Sequence, residues 1–222
     1  DKTIDSQIVD ALLHMIQQDN LFKQKQSSRG LGSALEAILL SDVAQSSRLI
    51  EGIIDRLIAT FEANVPEVVA GNRVIYDTPQ RISTRLGVSL AFGEIAKLTP
   101  ATELEKIFYF IIDSGSLRDP EENVRQTMIE SSTRIIAHHG QSNGNDLLKI
   151  FDDYLNDMSV AHDTVTRESV VIFLGRLASY LPPEDPRTAN VVDILIDSLS
   201  TPSLRVRKTC SECLTTLMTS LK

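Results

Sequence analysis

An all-α fold of stacked helical hairpins is what this 222-residue sequence predicts, and three observations carry the expectation. Apolar residues recur at spacings of three and four, strand-type alternation is nearly absent, and one pattern returns at intervals near 40 residues. The helical period is plain in Ile8-Leu12-Met15-Ile16, in Ile50-Ile54-Leu57-Phe61 and in Leu147-Phe151-Leu155. Ten helices follow, over roughly 4–19, 28–40, 43–62, 80–98, 101–113, 120–139, 145–158, 164–181, 187–200 and 203–220. Each boundary rests on turn or cap chemistry. Ser27-Ser28 opens the second helix and Ser41-Asp42 the third, and the stretch 63–79 precedes the fourth. Thr99-Pro100 and Ser114-Gly115-Ser116 bracket the fifth, and Gly140 to Gly144 separates the sixth from the seventh. Pro182-Pro183 and Thr201-Pro202 introduce the last two. Within 63–79, Val68, the Gly71-Asn72 turn and Arg73–Tyr76 read as a short β-hairpin, placed to fold over Leu86 and Leu90 of the next helix.

The helices pair, and the second of each pair repeats. With Arg29, Arg85, Arg125, Arg167 and Arg207 as zero, apolar Leu39, Ile95, Ile135, Leu177 and Leu217 lie ten residues on. The intervals of 56, 40, 42 and 40 residues match HEAT-type helical hairpins, with one insertion in the second unit. Val124-Arg125 and Val206-Arg207 resemble the HEAT signature at the start of the second helix, and Asp119-Pro120 resembles its turn. A hairpin alone leaves its apolar stripe uncovered, so the hairpins must stack, giving a right-handed superhelical (armadillo-like) solenoid. The expected array is single, with repeats at about 1–41, 42–99, 100–140, 141–182 and 183–222. The first residue is Asp1 rather than Met, which points to a piece of a longer protein. Partly buried arginine is rarely unpaired. Arg85, Arg125, Arg167 and Arg207 are therefore expected to form a structural ladder to carboxylates or carbonyls of adjacent repeats.

Chemistry is harder to find. Cys210 and Cys213 form C-x-x-C, but they share an apolar stripe with Val206, Leu214 and Leu217, so they read as core thiols suited to a reducing compartment. His138-His139 before Gly140 reads as a helix C-terminus closed by a left-handed glycine. His162-Asp163 lacks the strand-turn-helix context of a nucleophile, Gly30-x-Gly32 has neither a third glycine nor a strand before it, and His14 stands alone. Asp152, Asp153, Asp157 and Asp163 read as a solvated acidic face. No cofactor, metal or catalytic residue is expected, and neither is a membrane span or a secretion signal. The net charge of -8 opposes broad docking on nucleic acid. Residues 143–200 carry 4 basic and 10 acidic side chains, whereas 201–222 carry 4 and 1. Any RNA contact must therefore be local, and Arg205 with Lys208 is the candidate patch.

From about residue 79 onward the sequence is similar to one family. Thr84–Gly93, Asn123–Met128, His139-Gly140 with Leu147, Leu148 and Phe151, and above all Arg167–Leu181 with Asp185-Pro186 and Leu199–Ser203 carry the similarity, in order, over about 144 residues. Together they resemble the general control nonderepressible protein 1 family of very large HEAT-repeat translational activators. The chain looks like the stretch just before that family's part similar to elongation factor three. The resemblance implies a cytoplasmic, non-enzymatic scaffold of the integrated stress response. Such a scaffold binds translating and collided ribosomes, works with an ATP-binding-cassette partner, and activates the amino-acid-starvation kinase of initiation factor 2 alpha. The family's kinase-binding region lies nearer its C-terminus, so kinase contact is expected outside this segment. The alternative is a HEAT-repeat adaptor of another class, a nuclear transport receptor or a phosphatase scaffold, which shares the architecture without the Arg167–Ser203 similarity.

Overall fold

Helix formation follows the apolar periodicity almost throughout. The computed structural model describes residues 2–41, 43–69, 73–157, 159, 163–182 and 184–220. The chain falls into two units, Asp1–Ser132 and Thr133–Lys222.

The first unit holds α1 (Lys2–Ile16), α2 (Leu21–Ser41), α3 (Val43–Glu62), the strands β1 (Glu67–Val69) and β2 (Arg73–Tyr76), α4 (Pro79–Ile95) and α5 (Leu104–Asp113). The start of α6 (Glu122–Asn156) completes it. β1 and β2 pair antiparallel, Val69 opposite Arg73, as the spacing of Val68 and Tyr76 predicts. The Gly71-Asn72 turn lies outside the described residues. Leu86 and Leu90 are half-buried.

α2 corrects one boundary. It begins seven residues before the predicted position 28, because Asn20 caps it by accepting the Lys23 N–H at 2.9 Å. Ser27 and Ser28, which look like a turn in sequence, are buried on one face of the helix. α4 then packs against the end of α1. Gln80 donates to the Gln17 carbonyl at 2.5 Å, and Ser83 donates to the Gln18 carbonyl at 3.1 Å, so α4 side chains bond carbonyls just past the end of α1. Gly87 permits the approach: a Cβ there would stand 2.0 Å from the Ile16 carbonyl oxygen. The core centres on Phe110, whose ring meets Phe61 edge-on at 5.5 Å and Phe92 at 5.7 Å.

The second unit contains the rest of α6, then α7 (Thr164–Ala178), α8 (Pro186–Ser198) and α9 (Leu204–Ser220). The predicted break at 140–144 falls where α6 kinks, two helical segments meeting at Asn143. Helical hydrogen bonding continues from Glu122 to Asn156, and Asn143 alone leaves helical geometry, at φ -123 and ψ 21. The left-handed cap expected at Gly140 is absent, since Gly115, with φ 80, is the sole described glycine with positive φ. Gly140 serves packing: a Cβ there would lie 2.6 Å from Cδ2 of Tyr180. Aspartate caps start α7 and α8, Asp163 accepting the Thr166 N–H at 3.1 Å and Asp185 the Arg187 N–H at 2.9 Å. Phe151 and Phe173 meet at 5.8 Å in a core that also buries Leu147, Val170, Leu177 and Leu195.

Candidate functional site

Arginine recurs early in helices that follow a turn, and its planar fork of five N–H donors suits turns rich in carbonyls and carboxylates. Arg85, fully buried in α4, uses all five. Its Nε donates to Asp119 Oδ2 at 2.6 Å and its second terminal nitrogen to Asp119 Oδ1 at 3.0 Å. Asp77 accepts two more bonds, at 3.1 and 2.8 Å, and the Asn64 carbonyl takes the fifth, at 2.8 Å. Burial works against the charge, yet the bonds from Asp77 and Asp119 outweigh it and hold the guanidinium pKa above its ordinary value. Asp119 lies in the α5–α6 turn, where its Oδ1 also accepts the Glu121 N–H at 3.0 Å and its carbonyl accepts from Arg125.

Arg125 and Arg207 share a second geometry. Arg125 donates to the carbonyls of Asp119 and Pro120, six and five residues back, the latter at 3.1 Å. Arg207 does the same to Thr201 and Pro202, at 2.7 and 2.9 Å. Each thus clamps the turn leading into its own helix, where the sequence reading placed the partners in adjacent repeats. Of the four, Arg85 reaches forward into the next hairpin. Arg167 donates to the Leu155 carbonyl at 2.8 Å. Arg29, the zero of the first interval, stands apart: α2 starts at Leu21, so this arginine falls two turns into the helix and is exposed.

Arg205 is half-buried and Lys208 exposed, both on α9. Cys210 and Cys213, also on α9, are free and buried. Burial, with a smaller push from Cys213, raises the Cys210 thiol to about 11; burial raises Cys213 as well, against Arg176. Both stay protonated and unreactive near neutral pH. His14 and His138 are exposed and His139 is half-buried, the last two within α6 rather than at its end. His162 lies outside the described residues. Asp153 and Asp157 are exposed, but Asp163 is a helix cap rather than part of a solvated face. Among the described residues no group of three or more His, Cys, Asp or Glu could hold a metal ion, and no helix is long and apolar enough to cross a membrane.

A cleft of about 580 Å³ opens in the second unit. Leu155, Val171, Ile194 and Val206 give it apolar walls, and Arg167, Glu168 and Asp197 line it with charge. Sequence reasoning expected a carboxylate or carbonyl partner for Arg85 without identifying Asp77 or Asp119, and it missed the cleft, which joins residues far apart in the chain. The repeated Asp-Pro and Thr-Pro turns were the one available signal.

Paired helices with apolar cores and arginines that clamp the turns between them define a HEAT-repeat protein. A family described as "Stalled ribosome sensor GCN1, HEAT repeats" matches residues 2–179, and the chain belongs to it. It is 29% identical over 187 residues to the stalled ribosome sensor GCN1 of Homo sapiens, covering 81% of this chain and 7% of that protein. It is 38% identical over 138 residues to the protein ILITYHIA of Arabidopsis thaliana, covering 61% of this chain and 5% of that protein. Against the eIF-2-alpha kinase activator GCN1 of Saccharomyces cerevisiae the identity is 34% over 140 residues, covering 62% and 5%. The chain thus spans a small fraction of these relatives' length. No solved structure matches it.

Proposed function

We propose that this chain is a non-catalytic scaffold segment of a cytoplasmic, ribosome-associated translational activator that promotes activation of the starvation-responsive kinase of initiation factor 2 alpha. Family membership carries this reading, since relatives in two kingdoms are named as a stalled ribosome sensor and as an eIF-2-alpha kinase activator. Its polar side chains serve the same end. Arg85, Arg125, Arg167 and Arg207 are spent on turns and on the Asp77–Asp119 cluster, and the thiols are buried. Arg85, Arg125, Arg167 and Arg207 act as structural groups that fix the hairpins, while Arg205 and Lys208 offer the local basic patch for a ribosomal contact. An ATP-binding-cassette partner acts with the whole protein, and the kinase engages a region outside this segment.

The test removes residues 1–222 in frame from the full-length protein. Ribosome co-sedimentation and starvation-induced phosphorylation of initiation factor 2 alpha should both fall. Unchanged values in both assays would refute the reading, and specific capture of this chain by a nuclear-transport GTPase would replace it with the adaptor class.

A further inference from the structure

One register between neighbouring hairpins is closed by charge in the first unit and open in the second. Six residues before Arg125 stands Asp119, whose carboxylate reaches back to Arg85 of the preceding hairpin. Six residues before Arg207 stands Thr201, which has no carboxylate to offer Arg167; its hydroxyl donates to Glu168 at 3.0 Å. The residues at the corresponding sequence positions of the second unit, Arg167 and Thr201, line a cleft of about 580 Å³. Val171 and Val206, 8% and 2% exposed, give it an apolar floor large enough for one or two aliphatic side chains. Two carboxylates, Glu168 and Asp197, against one guanidinium, Arg167, leave the lining negative. Residues 143–200, which supply most of the lining, carry 10 acidic side chains against 4 basic, while the α9 side, from 201–222, carries 4 basic against 1 acidic. A negative lining repels phosphate backbones and acidic peptides and attracts cations.

We propose that this cleft docks a basic segment of a partner protein, with one apolar side chain on Val171 and Val206 and flanking Lys or Arg beside Glu168 and Asp197. The proposal goes beyond the ribosome reading, and its test uses no ribosome, so either can fail alone.

The probe is a fluorescein-labelled peptide, Lys-Arg-Leu-Lys-Leu-Arg-Lys, titrated against the 222-residue chain by anisotropy at low salt. Controls are the same peptide with Glu for every basic residue and a 12-nucleotide RNA. Asp197→Lys reverses an exposed charge of the lining, and Ser198→Trp fills the space. Asp146→Lys changes an exposed acid that does not line the cleft. Thermal melts confirm that each variant folds. The basic peptide should bind. Asp197→Lys should weaken it roughly fivefold, the equivalent of about 1 kcal/mol. Ser198→Trp should weaken it as well, and Asp146→Lys should not. No binding up to about 1 mM peptide overturns the proposal. So do equal binding of the glutamate peptide, displacement of the peptide by the RNA, or equal losses in Asp197→Lys and Asp146→Lys.

Discussion

Arg85 shows what a buried guanidinium requires: five donors, five acceptors, and two carboxylates to balance one charge. Removing Asp119 leaves the guanidinium to Asp77 alone and takes the acceptors from two of its N–H donors in a dry site. Asp119→Ala should therefore cost about 3–5 kcal/mol in urea unfolding. The double variant Arg85→Met/Asp119→Leu should cost clearly less than the sum of its singles, because it removes both ends of one buried pair and leaves only Asp77, 11% exposed, without its guanidinium. Strict additivity in that cycle would mean that the pair does not act as a unit. The two cysteines set a pH limit. Burial holds the Cys210 thiol at about 11, above the ordinary value near 8.5. A thiol with its folded pKa raised favours folding fully below about pH 8.5, and that contribution is lost as pH climbs towards about 11. Unfolding curves between about pH 7 and about pH 10 should show the decline, and Cys210→Val should show less of it. Val-Arg and Asp-Pro were legible as sequence motifs; that Arg85 donates to Asp119 in particular was not, because a separation of 34 residues leaves no local pattern.

Helices were legible wherever an apolar stripe and a cap coincided, as at Thr78-Pro79, Asp163 and Asp185-Pro186. They were misread where small polar residues served packing. Ser27 and Ser28 carry turn propensity, yet they lie on the buried face of α2, and tertiary contact overrides propensity there. Gly140 looked like a cap for the same reason, though the space it leaves is taken by the Tyr180 ring. A comparison of glycines separates the two uses. Gly52, exposed in α3, has nothing within 4 Å of an added Cβ, so Gly52→Ala should raise stability by about 0.5–1 kcal/mol through helix propensity alone. Gly140→Ala gains the same propensity but meets Cγ and Cδ2 of Tyr180 at 2.8 and 2.6 Å, the base of the ring rather than its mobile end. Its net effect should be a loss of about 1–2 kcal/mol, partly recovered in Gly140→Ala/Tyr180→Ala. Thermal melts showing a gain at Gly140 would mean that the ring yields freely.

For the chain as a whole, charge decides which partners are tolerated. A net charge of -8 opposes sequence-independent attachment to RNA, so any direct contact with a ribosome must be local and its salt dependence shallow. Residues 201–222 are the basic exception, with 4 cations to 1 acid. Within them the geometry divides the labour. Arg207 is committed to the Thr201 and Pro202 carbonyls, whereas Lys208 is exposed and Arg205 half-buried on the same helix. Neutralising a cation that touches a phosphate lowers the slope of log affinity against log salt by about one. Arg205→Gln/Lys208→Gln in the full-length protein should therefore reduce the slope of ribosome association by about two, with the larger affinity loss at low salt. Arg207→Gln serves as the contrast. It should lower the stability of this segment, because two turn carbonyls lose their donor, while leaving the slope unchanged at temperatures where the chain stays folded. If the double variant co-sediments with ribosomes as before at every salt concentration, these two side chains take no part in binding, and the segment contributes spacing between contacts made elsewhere.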